Sequence, residues 1–186
     1  MKRRTYIETG GSLFLDRDGV INRLLVDSYV LNADQLVLEP GAVEAIALCN
    51  KLFRHVFVVT NQSCIGKGLT TLDELQRIHS KLIAEVEAAG GHIDHIYACY
   101  DTSTAPGPYR KPNIGMALQA RRDFVGVKLR KSVMVGDTYN DMLFGYRCRM
   151  QTVLIWHHDV EAAANPHLVD FAFPSLADFA ASLQQN

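Results

Sequence analysis

The chain has 186 residues, 48% hydrophobic and 21% charged, and its 19 Lys+Arg nearly balance 20 Asp+Glu for a net charge of −1. These values describe one globular domain over residues 1–186 and exclude disorder, collagen and coiled coil for the chain as a whole. Near-neutral charge gives no general attraction to nucleic acid or an anionic membrane, yet it is compatible with a local basic site.

The first predicted element is a buried strand, Ser12-Leu13-Phe14-Leu15, which stops at Asp16. After Pro40-Gly41, apolar residues at Ala42, Ala45, Ile46, Cys49 and Phe53 have helical spacing. Val56-Phe57-Val58-Val59 is a run suited to a strand buried on both faces, and it ends at Thr60. Thr71-Leu72-Asp73-Glu74 matches a capping box, and Leu75, Ile78, Leu82, Val86 and Ala89 then mark a helix face up to Gly90-Gly91. Ile93 to Cys99 is a third strand and Asn113 to Phe124 a helix. Ser132 to Val135 forms a strand ending at Gly136-Asp137, followed by a helix over Thr138–Arg147. A strand over Thr152–Trp156 and a last helix over Ser175–Leu183 complete the order, with Trp156 and Phe171–Phe173 assigned to the core. Strands alternating with helices predict an α/β fold, a Rossmann-like, doubly wound, mainly parallel sheet. Ligands of such sheets bind beyond the carboxyl ends of the strands.

No apolar run approaches the ~18 residues of a membrane span. The basic Met1-Lys2-Arg3-Arg4 is followed by no apolar stretch, so no secretory leader is expected. Cys49, Cys64, Cys99 and Cys148 lie far apart without a CxxC, which predicts free thiols and a cytoplasmic protein.

The polar residues at the strand ends carry the chemistry. They are Asp16-Arg17-Asp18-Gly19, Thr60-Asn61-Gln62-Ser63 and Gly136-Asp137, and Lys111 precedes Pro112 just ahead of a helix. A parallel sheet gathers them on one edge. Three clustered carboxylates repel unless a cation is present, and hard oxygen ligands suit Mg²⁺. Lys111 and Thr60 suit a phosphoryl group, one by charge and one by a hydrogen bond. A carboxylate beside Mg²⁺ can attack phosphorus, and a second carboxyl two residues on can serve as general acid and then base. Gly19 permits the sharp turn that brings both carboxyls inward.

Phe14-Leu15-Asp16-Arg17-Asp18-Gly19-Val20-Ile21-Asn22 resembles the first motif of the haloacid dehalogenase superfamily. Thr60, Lys111 and Gly136-Asp137-Thr138-Tyr139-Asn140-Asp141 resemble its second, third and fourth motifs, in order. Thr60-Asn61-Gln62-Ser63 and Arg110-Lys111-Pro112 narrow the resemblance to the group of heptose-bisphosphate and histidinol-phosphate phosphatases, which lack a large cap domain. The resemblance implies Asp16 as nucleophile, Asp18 as general acid/base, and Thr60 and Lys111 as stabilisers of the transferring phosphoryl group. It implies Mg²⁺ held by Asp16, the Asp18 backbone carbonyl and Asp137. Arg110 would contact the rest of the substrate. Asn61, Gln62, Ser63 and part of the Leu24–Val30 loop would line the pocket.

The chain departs from the group at two places. The Cys/His loop that holds zinc in many members is absent before Arg110, so no zinc is expected. Cys64 stands where the group has Gly, and is strained if that backbone needs a positive φ.

Other motifs receive plainer readings. Asp141 fits either a helix N-cap or the metal shell. Gly66-Lys67-Gly68 is not a Walker A sequence, but Lys67 is a candidate contact for a substrate phosphate. His157-His158 reads as a surface turn. The expected function is a Mg²⁺-dependent phosphomonoesterase, a monomer acting on a sugar bisphosphate such as the heptose 1,7-bisphosphate. Histidinol phosphate or another sugar phosphate is the alternative substrate. A phospho-Asp receiver domain for signalling and an inactive scaffold are the alternatives of other classes.

Overall fold

The computed structural model describes residues 6–155, 162 and 164–185. Met1 to Arg4, Trp156 and His157-His158 lie outside the described residues. Among those residues the strands are β1 (Ser12–Leu15), β2 (His55–Asn61), β3 (His95–Cys99), β4 (Val133–Gly136), β5 (Gln151–Ile155) and β6 (Phe171–Phe173). The helices are α1 (Ala42–Cys49), α2 (Ser63–Gly66), α3 (Leu72–Ala88), α4 (Gly115–Asp123), α5 (Tyr139–Arg147) and α6 (Leu176–Ser182). The sheet order is β3-β2-β1-β4-β5-β6, and every pairing is parallel. The chain winds from β1 to one edge, then returns beside β1 as β4 and winds to the other. The carboxyl ends of β1 and β4 therefore flank the point where the winding reverses, where ligands of open α/β sheets bind.

The strands read as continuous apolar runs because both faces are covered. On one face Leu13, Leu15, Val56, Val58, Val133 and Val135 pack with Ile46 of α1, Ile78 and Leu82 of α3 and Phe179 of α6. On the other, Phe14, Phe57, Val59 and Met134 pack with Met116 and Ala117 of α4 and Phe144 of α5. Residues of β1 thus alternate between the two cores, as period-2 geometry requires. The predicted cap at Thr71 forms, its Oγ1 accepting from Glu74 N at 3.2 Å, and Ser175 also caps its helix, its Oγ accepting from Asp178 N at 3.1 Å.

Phe171–Phe173 is a short edge strand whose two partly covered rings pack against the first of these cores. A strand of three residues is too short to show periodicity. Ser63–Gly66 is a short helix. Cys64 within it is fully buried, and among the described residues Asp27 and Arg149 are the non-glycine ones with positive φ, so Cys64 carries no such strain. All four cysteines are buried and unbridged.

Candidate active site

Four strand ends or their following loops converge on a small cavity of about 180 Å³. Asp16 follows β1, Asp137 follows β4, Thr60 sits near the end of β2, and Lys111 comes from the loop after β3. Asp18, Asn61, Leu24, Thr138, Asn140 and Asp141 complete the lining. The Lys111 ammonium lies 2.7 Å from Asp16 Oδ1 and 2.6 Å from Asp141 Oδ1. Asn61 holds the Lys111 backbone at both polar groups: its Nδ2 donates to Lys111 O at 3.1 Å, and its Oδ1 accepts from Lys111 N at 3.0 Å. Asp141 fills the helix-capping role, the first of the two foreseen for it. Its Oδ2 accepts from Thr138 N at 3.1 Å, which caps α5, while its Oδ1 faces Lys111.

Asp18 is held from behind by a buried cluster. Arg17 is fully buried, and its Nη2 donates to both Asp18 carboxylate oxygens at 3.0 Å. Asn22 Nδ2 donates to Asp18 Oδ1 at 3.0 Å. Gln62 Nε2 donates to Asp18 Oδ2 and to Thr60 Oγ1, both at 2.8 Å. Gln62 Oε1 accepts from Arg17 Nη2 at 3.2 Å. Arginine can only donate, so this contact fixes which way the amide points. Arg17 Nη1 lies 3.4 Å from His79 Nε2, which must accept, leaving a neutral ring. Burial, then the Arg17 charge, push the His79 pKa down from 6.5 to about 4.

The carboxylates fall into two electrostatic groups. Burial alone would raise Asp18, but the Arg17 charge and the hydrogen bonds from Asn22, Arg17 and Gln62 hold it below the ordinary value. Asp16 and Asp137 go the other way. Burial and the neighbouring Asp141 charge raise Asp16 well above the carboxylate range, against the pull of Lys111. Burial, then Asp16 and Asp141, raise Asp137. Burial would lower Lys111, yet Asp141 and Asp16 outweigh it and raise it.

One cation cannot neutralise this set. Oxygens of Asp16, Asp137 and Asp141 lie within 4.8 Å of one another, and Asp137 Oδ1 is buried without a hydrogen-bond partner. Gly19 makes room for Asp137: a Cβ there would lie 2.1 Å from Asp137 Oδ2, and its φ of +81° suits glycine. An all-oxygen cluster with an orphaned carboxylate oxygen fits a hard divalent cation such as Mg²⁺.

The other expected residues fall around this centre. Gln62 and Ser63 are buried and do not line the cavity. Ser63 Oγ lies 3.2 Å from the Tyr29 hydroxyl. Arg110 is partly buried and donates from Nη1 to Asp101 O at 2.8 Å. Lys67 Nζ donates to the Tyr29 hydroxyl at 2.8 Å, beside a second cavity of about 580 Å³ lined by Leu24 to Tyr29. Leu24 borders both cavities. Sequence reasoning missed the supporting roles of Arg17, Asn22 and His79. An arginine placed between two strand-end acids was the available signal for the first. Nothing in the sequence brings His79, on α3, to it.

The chain matches known proteins along most of its length. Residues 108–179 match the HAD-hydrolase-like family profile. A D-glycero-alpha-D-manno-heptose-1,7-bisphosphate 7-phosphatase of Mycobacterium bovis is 31% identical over 171 residues, 92% of this chain and 90% of the relative. A D-glycero-beta-D-manno-heptose-1,7-bisphosphate 7-phosphatase of Pseudomonas putida is 37% identical over 143 residues, 77% of this chain and 81% of the relative. Among solved structures, the D,D-heptose 1,7-bisphosphate phosphatase from B. bronchiseptica, complexed with magnesium and phosphate, superposes with a TM-score of 0.81 at 29% identity. That match covers 94% of this chain and 98% of the other. The sheet order, the converging strand-end acids and these likenesses agree: the chain belongs to the haloacid dehalogenase superfamily, among its phosphatases.

Proposed function

We propose that the protein hydrolyses a phosphate ester of a sugar bisphosphate, of which heptose 1,7-bisphosphate is the favoured substrate. The carrying observation is Asp16 at the switch point, 2.7 Å from the Lys111 ammonium, with Asp18 two residues on. Mg²⁺, held by Asp16, Asp137 and the Asp18 backbone carbonyl, would supply positive charge for the phosphoryl oxygens and keep the carboxylates ionised.

Asp16 attacks phosphorus and becomes an aspartyl-phosphate as the bond to the ester oxygen breaks. Lys111 offsets the negative charge on the transferring group. Because Thr60 Oγ1 already accepts from Gln62, its own hydrogen is free to donate to a phosphoryl oxygen. Asp18 gives a proton to the departing oxygen, then takes one from the water that cleaves the intermediate. Its hydrogen-bonded, ionised state in this structure suits the second half of the cycle. An approaching phosphate dianion raises its pKa for the first half.

A cavity of about 180 Å³ suits the phosphoryl group and not a whole sugar. The sugar extends past Leu24 into the adjoining space, where Lys67 is a cation for the second phosphate. Phosphate release with Mg²⁺, for wild type and Asp18→Asn, across phosphorylated sugars and histidinol phosphate, tests the reading. One bisphosphate well above the panel, lost in the variant, is the expected result. Histidinol phosphate in first place would transfer the assignment to that substrate. A long-lived acyl-phosphate with no release would mean a receiver-like role.

A further inference from the structure

The pole of the sheet opposite the active site carries a concentrated positive charge. Two adjoining cavities of about 590 and 620 Å³ lie there, at the amino ends of β4 and β5. They share Arg130, Arg147 and Arg149, and the second adds Arg121, Lys128 and Lys131. Asp170 is the one acid in either lining, and its carboxylate is already used, accepting from Thr152 N at 3.1 Å. Lys131 has a loose contact with Glu8 at 4.0 Å. Among the described residues, Arg121, Lys128, Arg130 and Arg149 have no ion-pair partner. In a chain of net charge −1, such segregation of cations is self-repelling unless an anion joins it.

Arg149 adds a second, independent sign. Its φ of +59° lies in the left-handed region, at the position just past the end of α5. Arg149 N donates to Tyr146 O and Met150 N to Gly145 O, both at 2.9 Å, closing the helix as glycine usually does. Arginine is there against the backbone's preference, and Arg149 borders both cavities. The first cavity also has an aromatic wall, with the Tyr146 and His167 rings edge to face at 6.3 Å.

We propose that this cleft is a second ligand site, distinct from the catalytic cavity, which takes a small molecule carrying a pyrophosphoryl group. Guanidinium forks match the paired oxygens of phosphates. A concave volume near 590 Å³ is that of a metabolite pocket and not of a flat docking face. The group can come from free pyrophosphate or from a nucleotide, whose base would lie against Tyr146.

The test is an amide ¹⁵N titration of the Mg²⁺-loaded protein with two non-hydrolysable probes, methylenediphosphonate and the α,β-methylene analogue of ADP. Saturable shifts at Arg130, Arg149, Met150 and Thr152 are expected. Arg149→Gly removes the cation and suits the backbone, so it folds; it should weaken binding about 10-fold or more while phosphate release by the active site continues. Tighter binding of the nucleotide analogue would assign the group to a nucleotide, and equal binding to free pyrophosphate. Shifts confined to the amides of Asp16, Thr60 and Asp137, or cleft affinity unchanged in Arg149→Gly, would overturn the proposal. So would a short single-stranded oligonucleotide that outbinds both probes, which would make the patch a nucleic-acid surface.

Discussion

Gln62 holds Asp18 through a 2.8 Å hydrogen bond from Nε2 to Oδ2, and the same nitrogen donates to Thr60 Oγ1. One buried amide therefore orients both groups to which the proposed mechanism gives the proton and the hydrogen bond at the phosphoryl site. Gln62→Ala should lower kcat about 10- to 100-fold with little change in KM, as loss of an outer-sphere partner does. Steady-state kinetics check this. A fall in affinity alone would make Gln62 a substrate contact, as its sequence position suggested.

Removal of the metal should make stability depend on pH in a defined direction. The raised pKa values of Asp16 and Asp137 mean that the metal-free native state holds protons which the unfolded chain, with ordinary carboxylates near 3.8, has already released. Their contribution is fully present below that value and is lost as pH rises through the folded-state values. Melting in EDTA should therefore fall as pH rises through neutrality. Mg²⁺ should restore it by an increment that grows with pH, because binding displaces the protons. Scanning calorimetry from pH 5 to pH 9 measures both, and a pH-independent increment would argue against metal at these carboxylates.

The neutral His79 predicts an acid-side loss. Its pKa falls from 6.5 to about 4 on folding, so the unfolded state binds the extra proton between those values. Stability from this group is present above 6.5 and lost as pH falls toward about 4. Between pH 7 and pH 5 the loss is about 2 kcal/mol. Urea unfolding of wild type and His79→Leu at the two pH values should differ by about that amount in slope with pH. Parallel losses would mean that His79 is protonated in the native protein.

Cys64→Gly should destabilise the protein by about 1–2 kcal/mol, not relieve strain. The side chain is fully buried in α2, and its φ is not positive. Denaturant midpoints at constant slope would show it, and a stabilised variant would contradict this backbone geometry.

The first five strands, the convergence of Asp16, Thr60, Lys111 and Asp137, and the cap at Thr71 were legible because each rests on local pattern: an apolar run, a strand-end polar residue, a capping residue. Asn61 and Gln62 were legible as members of the site but not in their roles. Whether an amide faces a cavity or props a neighbour depends on rotamer and burial, which spacing does not encode. His79 was illegible, since its contact with Arg17 spans 62 positions. The basic cleft was missed for a similar reason. Arg121, Lys128 to Lys131 and Arg147 to Arg149 belong to separate stretches of the chain, and only the parallel sheet sets them side by side.

β1 is bordered by β2 and β4 along its edges and by a core on each face, and the Asp16 amide itself donates to Val135 O at 2.9 Å. Its amides should thus exchange with solvent only through global opening, while those of the exposed Leu24 to Ser28 segment exchange through local motions. On the proposed mechanism, the attacking carboxylate is mounted on what should be one of the slowest-exchanging parts of the molecule, and the rim assigned to the substrate on one of the fastest. Mutations accumulating in that rim can retune which ester is accepted while the reaction centre keeps its geometry.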